Sequence, residues 1–371
     1  MKILLLCWRD STHPLGGGSE RYLEHVGEHL AAAGHEVIYR SAAHTESPRR
    51  STRNGVRYTR AGGKYSVYPA AWRLMLLGRL GVGPARGVDV VVDTQNGIPF
   101  FARLVAGAPT VLLTHHCHQE QWPVAGPLIG RVGWFLESRL APRVYRGAQY
   151  VTVSESSRED LIALGVDPAD IEIVANGVDP VPATLPVLPA DHRTHLLTLS
   201  RLVPNKQIEH AMDVIATLRD RDLVLDVVGS GWWEDRLRDY ARRRGIEDRV
   251  IFYGQVTEDY KHALLARAAL HLMPSRKEGW GLAVTEAAQH GVPTVGYRGA
   301  GGLRVSIVDG GTGLLVDDER ELVDATRRLL ADAPTRRRLG EAARTHAAGF
   351  SWADTGARFE QVLSRVVARR R

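Results

Sequence analysis

The chain has 371 residues, 44% hydrophobic and 24% charged, enough for two domains of ordinary size and too apolar for wholesale disorder. Its formal charge of +6 is a mild excess, compatible with anionic ligands or an anionic membrane surface, and no basic stripe interleaved with aromatics marks a nucleic-acid binder. The only cysteines, Cys7 and Cys117, lie in apolar strand-like runs, which argues against a disulfide framework and for a reducing, cytoplasmic setting, and no segment has the apolar length of a membrane span.

Lys2–Trp8 is a continuous apolar run, too short for a signal peptide and typical of a strand buried on both faces. The loop Pro14–Glu20, rich in glycine, leads to a helix carrying Tyr22, Leu23, Val26 and Leu30 at helical spacing, then to a strand at Val37–Tyr39. This is a βαβ unit. Tyr68–Leu80 reads as an amphipathic helix bearing Arg73 and Arg79. Val88–Val92 predicts another buried strand, and the polar residues beyond it, Asn96 among them, sit where open α/β sheets bind ligands. Asn96 is thus a candidate acceptor contact. A strand over Thr110–Thr114 ends in His115, His116, Cys117 and His118. Strand alternation puts His116 and His118 on one face and His115 and Cys117 on the other, a poor metal site, so no metal is assigned. Leu128–Tyr145 reads as a second amphipathic helix, with Arg131, Arg139 and Arg143 among its apolar residues. Such helices cover a sheet or lie on a membrane surface. A strand at Gln149–Val153, a helix at Arg158–Leu164 and a strand at Ile171–Val174 complete the first half.

Pro180, Pro182, Pro186 and Pro189 mark a linker, dividing the chain into domains 1–187 and 188–351. A second βαβ series starts with Leu196–Leu199. The loop after it carries Arg201 and Lys206, and a helix is expected over Gln207–Leu218. Cations just before a helix oppose its dipole, so an anion is expected there. After the strand Leu223–Val228, Gly229 and Gly231 lack the third glycine of a dinucleotide fingerprint, because Glu234 holds that place. That counts against a nucleotide-linked oxidoreductase. Strands are expected near Val250–Val256, Ala269–Pro274, Thr294–Tyr297 and Gly313–Val316, and a C-terminal helix capped by Ser351 carries Phe359, Val362 and Leu363.

Between the strand at Ala269–Pro274 and a helix over Leu282–His290 lies Glu278-Gly279-Trp280-Gly281, and Glu286 follows eight positions after Glu278. Glu278 is expected on the loop leaving the strand, Glu286 about one and a half turns into the helix. The helix opening at Gly281 and Leu282 presents free N–H groups that suit a phosphate, while the two carboxylates suit sugar hydroxyls. The alternative is a pair of solvated glutamates at a strand–loop–helix corner. The stretch resembles the Glu-x7-Glu motif of retaining, nucleotide-sugar-dependent glycosyltransferases of the GT-B fold, specifically glycosyltransferase family 4 (group 1), and the likeness extends over nearly the whole chain.

The resemblance implies an α/β architecture of two Rossmann-like parallel-sheet domains facing across a cleft, with the C-terminal helix, about 352–371, packing back on the first. It implies that Gly17 and Gly18, in a Gly-Gly-x-Glu loop, face the donor diphosphate and acceptor, and that a strand-end histidine touches the donor sugar: His115 first, His116 second. Arg201 and Lys206 match the Arg-x4-Lys pair that holds the diphosphate. The loop with Val256 lies beside the nucleobase. Gly279, Trp280, Gly281 and Leu282 line the phosphate seat, Glu278 orients the sugar, and Glu286 binds the ribose diol. Val305 departs from the family, many members of which have an acidic residue nearby. The implied reaction moves a hexose from a UDP- or GDP-sugar to a hydroxyl with retention, without cofactor or metal. The acceptor would be a lipid-linked sugar, a polysaccharide or a small metabolite, and the setting the cytoplasm, with peripheral contact to the inner membrane face. A sugar-nucleotide epimerase and a non-catalytic sugar-nucleotide-binding protein are the alternatives. The latter predicts loss of a cation or carboxylate, and all of Arg201, Lys206, Glu278 and Glu286 are present.

Overall fold

Strands of a parallel sheet are covered by helices on both faces, so they run apolar rather than alternating. The two sheets of this chain follow that rule at their centres. The computed structural model describes residues 1–14, 16–45, 47–119, 122 and 126–370. Leu15 of the glycine loop and Glu120, Gln121 and Pro123 beyond the histidines lie outside the described residues. Contacts divide the chain into Met1–Gly177 with Ser351–Arg371, and Val178–Phe350. The division falls at 177/178 rather than 187/188, and the proline-bearing stretch joins the second unit.

In the first unit the strands are β1 (Lys2–Leu6), β2 (Glu36–Ser41), β3 (Arg50–Arg53), β4 (Val56–Arg60), β5 (Val90–Gln95), β6 (Thr110–Thr114), β7 (Gln149–Thr152) and β8 (Ile171–Ile173). Among the described residues they form one eight-stranded sheet in the order β3-β4-β2-β1-β5-β6-β7-β8. The β3–β4 hairpin is antiparallel and the other pairs are parallel. Leu4 pairs with Ile38 on one side and Val91 on the other, and all three are buried. The order reverses between β1 and β5, which opens a crevice at their carboxyl ends. The helix Gly18–Ala32 follows β1, and the C-terminal helix Trp352–Ala368 packs on it. Trp352 stacks on His25 at 4.3 Å, Phe359 meets the Tyr22 ring, and Ser351 caps the helix by accepting from the Asp354 N–H.

In the second unit β9 (Thr194–Leu199), β10 (Leu223–Val228), β11 (Val250–Gly254), β12 (Leu270–Met273), β13 (Thr294–Tyr297) and β14 (Gly313–Val316) make an all-parallel sheet in the order β11-β10-β9-β12-β13-β14. Leu196, Leu225, Val227, Leu270, Leu272 and Val295 fill its core. Here the reversal falls between β9 and β12. The loops that leave those two strands carry the candidate cations and the first candidate carboxylate.

The amphipathic stretches differ from one another. The helix Val67–Arg79 buries Val67, Ala71 and Met75 in the first unit's core. The expected continuous helix over Leu128–Tyr145 is instead an α-helix, Pro127–Phe135, a π-turn, Leu136–Leu140, and a short α-helix, Ala141–Val144. Its apolar side chains Leu128, Ile129, Val132 and Phe135 are exposed.

Candidate active site

The chain leaves β9 through Ser200 and Arg201, makes one 3-10 turn at Pro204–Lys206, and enters the helix Ile208–Leu218. Gln207 does not start that helix as expected. It sits in the left-handed region at φ 47° and turns the chain between the two segments. The Arg276 N–H donates to the Asn205 carbonyl at 2.9 Å, which straps this loop to the one leaving β12. Lys206 and Glu278, 72 positions apart, are thereby joined: Lys206 Nζ lies 2.5 Å from Glu278 Oε1. Their side chains are 13% and 11% exposed, so the pair is largely withdrawn from solvent screening. Arg201 is exposed on the same loop.

The corner Glu278–Gly281 is clamped by the glycine-rich loop after β13. The Glu278 N–H donates to the Ala300 carbonyl at 2.8 Å, the Gly302 N–H to the Glu278 carbonyl at 3.0 Å, and Ser306 Oγ to the Trp280 carbonyl at 3.0 Å. Two glycines make this possible. Gly281 has φ 96°, and a Cβ there would lie 2.7 Å from Leu303 Cδ2. A Cβ on Gly302 would lie 2.4 Å from the Gly279 backbone. Val305 lies in the short helix Leu303–Ser306 behind this corner, half-buried, with its carbonyl 3.1 Å from His346 Nε2. The helix Leu282–Gln289, with Gly281 at its cap, points its N-terminal amides back into the corner and ends one residue before the expected His290. Gly279 and Trp280 are buried, Leu282 is half-buried, and the Trp280 ring meets Phe350 edge-on at 5.0 Å. Glu286 is half-buried on the helix, with Oε1 2.7 Å from Lys261 Nζ. Val256, just past β11, packs against the cluster of Leu197, Val228 and Leu264. The second unit thus brings Lys206, Glu278 and a helix N-terminus to one switch point.

In the first unit, Gly17 is extended and Gly18 opens the helix Gly18–Ala32. Buried Glu20 organises this loop. Its Oε2 accepts from the Gly17 N–H and Ser19 Oγ, both at 2.9 Å, and its Oε1 accepts from Arg9 Nε at 3.1 Å. Asn96, at the end of β5, donates through Nδ2 to Ser19 Oγ at 3.3 Å, tying the two loops of the crevice together. His115 follows β6 directly and is buried, with its ring edge-on to Tyr22 at 5.0 Å. Burial pushes its imidazole down to about 4, so it is neutral at neutral pH. Its Nε2 is buried with no hydrogen-bond partner among the described residues. Cys117 is also buried, whereas His116 and His118 are half-buried with rings 4.4 Å apart. Among the described residues, no group of three or more His, Cys, Asp or Glu side chains converges as metal ligands.

Two residues absent from the sequence reading enter here. Glu137, fully buried on the π-turn, accepts from the His118 N–H at 2.9 Å, Trp122 Nε1 at 2.5 Å and Gln95 Nε2 at 3.3 Å, and pairs with His118 Nδ1 at 3.1 Å. It holds the chain after β6 in place, and π-turns recur at such sites. Its signal was available: it is the lone acid in Leu128–Tyr145. Lys261, the partner of Glu286, is the other.

The family model described as Glycosyltransferase Family 4 matches residues 16–181, and that described as Glycosyl transferases group 1 matches residues 187–346. Among curated relatives, a GDP-mannose-dependent alpha-(1-6)-phosphatidylinositol monomannoside mannosyltransferase of Mycobacterium tuberculosis is 30% identical over 71% of this chain and 70% of its own. An MMP alpha-(1->4)-mannosyltransferase of Mycolicibacterium hassiacum is 28% identical over 99% of this chain and 100% of its own. Among solved structures, sucrose-phosphate synthase of Thermosynechococcus elongatus superposes with a TM-score of 0.83 at 21% identity, covering 99% of each chain. Anabaena HepE in complex with UDP-glucose does so at 0.76 and 19% identity, over 98% of this chain and 100% of its own.

Proposed function

Since the chain has the GT-B fold and belongs to the family 4, group 1 glycosyltransferases, we propose that it transfers a hexose from a UDP- or GDP-sugar to an acceptor hydroxyl with retention of configuration. The observation that carries this reading is the meeting of Lys206, Glu278 and the amides at Gly281 and Leu282 at the β9/β12 switch point. Breaking the bond between sugar and diphosphate puts negative charge on the leaving oxygen and positive charge on the ring. Lys206, Arg201 and the helix amides stabilise the first, and Glu278 orients the sugar hydroxyls. The departing phosphate oxygen takes the acceptor proton in a front-face attack, so no protein nucleophile is required. The second unit holds the donor, with Glu286 on the ribose diol and the Val256 loop beside the base. The first unit holds the acceptor near Gly17, Gly18 and Asn96, and the neutral imidazole of His115, or the side chain of His116, contacts the sugar. No cofactor or metal is assigned, because two cations and a helix N-terminus supply the charge an ion would bring. The mannosyl transfer named for the two curated relatives and the UDP-glucose named for HepE support a mannosyl or glucosyl donor, and the acceptor is a lipid-linked sugar, a polysaccharide or a small metabolite.

Thermal-shift measurement with a panel of nucleoside diphosphates tests this. UDP or GDP should raise the melting temperature and ADP should not, since ligands of the native state stabilise it by mass action. The shift and turnover should both survive exhaustive EDTA treatment. No shift with either UDP or GDP would reject the reading. Loss of activity in EDTA with rescue by magnesium or manganese would reject its metal-free form, and rescue by zinc would return attention to His115–His118. Replacing Glu286 by Gln should weaken binding of the ribonucleoside diphosphate while leaving the 2′-deoxy analogue nearly unaffected. Equal weakening of both would remove Glu286 from the ribose.

A further inference from the structure

Lys261 lies on the helix Glu258–Arg267, which packs on Leu282–Gln289, and it is 9% exposed. A lysine so deep is costly unless paired. Its ammonium bridges two carboxylates, 2.7 Å from Glu286 Oε1 and 2.7 Å from Glu258 Oε2. Burial works against its charge, but Glu286 and Glu258 outweigh it and hold Lys261 above the usual lysine range. As a staple between two helices, such a pair does little that a packed apolar pair would not do as well. What an apolar pair cannot do is hold the Glu286 carboxylate in one rotamer through a hydrogen-bonded ion pair.

We propose that Lys261 is a positioning residue for ribose recognition: its ammonium fixes the direction of the Glu286 carboxylate while also pairing with the neighbouring Glu258. This rests on the reading of Glu286 as the ribose ligand. A vicinal diol offers two O–H donors, and an ionised carboxylate is an acceptor-only group that takes both. Without Lys261, Glu286 would stand half-buried near a second carboxylate. Without the shared ammonium the two carboxylates repel each other, and Glu286 loses the contact that fixes its direction toward the diol.

Isothermal titration of UDP, GDP and their 2′-deoxy counterparts decides this, using wild type, Lys261→Met, Lys261→Gln and Lys261→Arg. Wild type should prefer the ribo form. Lys261→Met and Lys261→Gln should bind the ribo form at least about tenfold more weakly, with the 2′-deoxy form little changed, because a charge-assisted hydrogen bond is lost. Lys261→Arg should recover part of the preference. A mere staple predicts a lower melting temperature with the ribo-to-deoxy ratio intact, and that ratio kept in the Met or Gln variant overturns the proposal. Lys261→Gln serves if the Met variant fails to fold. If wild type binds neither nucleotide, the nucleotide-sugar reading itself fails. If it binds both without ribose preference, the role of Glu286 falls, and that of Lys261 with it.

Discussion

Arg201→Ala and Lys206→Ala are each expected to slow release of nucleoside diphosphate from the sugar nucleotide by on the order of 10²-fold or more, with the fold intact by circular dichroism. The magnitude follows from the work asked of each cation. Removing one preorganised donor aimed at a developing oxyanion costs about 3 kcal/mol in a water-excluded site. Lys206 should be the more sensitive position. Its ammonium is already held at 2.5 Å by Glu278 and is largely buried, so its loss also leaves that carboxylate without its cation. Arg201 is exposed, and solvent can replace part of what it supplies. Lys206→Arg keeps the charge but not the compact point-like ammonium, and it should fall between wild type and the alanine variant. Near-wild-type turnover in both alanine variants would remove the diphosphate from this loop.

The central strands were legible because a parallel sheet buried on both faces writes itself as unbroken apolar runs, as in Lys2–Trp8 and Leu196–Leu199. The corner at Glu278–Gly281 was legible for a different reason. Glycine after a strand, then a periodic helix, specifies a close backbone approach whatever surrounds it. Contacts made by topology were not legible. Nothing local to Lys206 points to Glu278, and the two meet because β9 and β12 are neighbours in the sheet. Lys261 and Glu286 meet because two helices pack. The π-turn at Leu136–Leu140 was missed because its apolar pattern continues that of the helix before it. What sets it apart is the buried carboxylate of Glu137, whose donors come from His118, Trp122 and Gln95 on other segments. The left-handed Gln207 was missed for want of a glycine or asparagine to announce it.

Docking of the first unit on an anionic membrane is the second large effect expected, at low salt and with anionic lipid. Among the described residues no helix is long and apolar enough to cross a bilayer, so the contact would be peripheral. The helix Pro127–Phe135 leaves Leu128 75%, Ile129 53%, Val132 51% and Phe135 55% exposed. Exposed Arg131, Arg139 and Arg143 accompany them. A sheet-covering helix would bury that apolar face, as Val67–Arg79 buries Val67, Ala71 and Met75. An apolar face beside arginines instead matches the interface of an anionic bilayer. Each basic residue near such a surface contributes about 1 kcal/mol, screened by salt. Changing Arg131, Arg139 and Arg143 together to glutamine should therefore cost roughly 3 kcal/mol, about a hundredfold in vesicle partitioning. Flotation with vesicles containing phosphatidylserine should show binding that high salt and this triple variant both abolish. Vesicles of phosphatidylcholine alone should not bind. Absence of binding at low salt would leave the exposed apolar face to another partner and move the acceptor assignment from lipid-linked sugars to small metabolites.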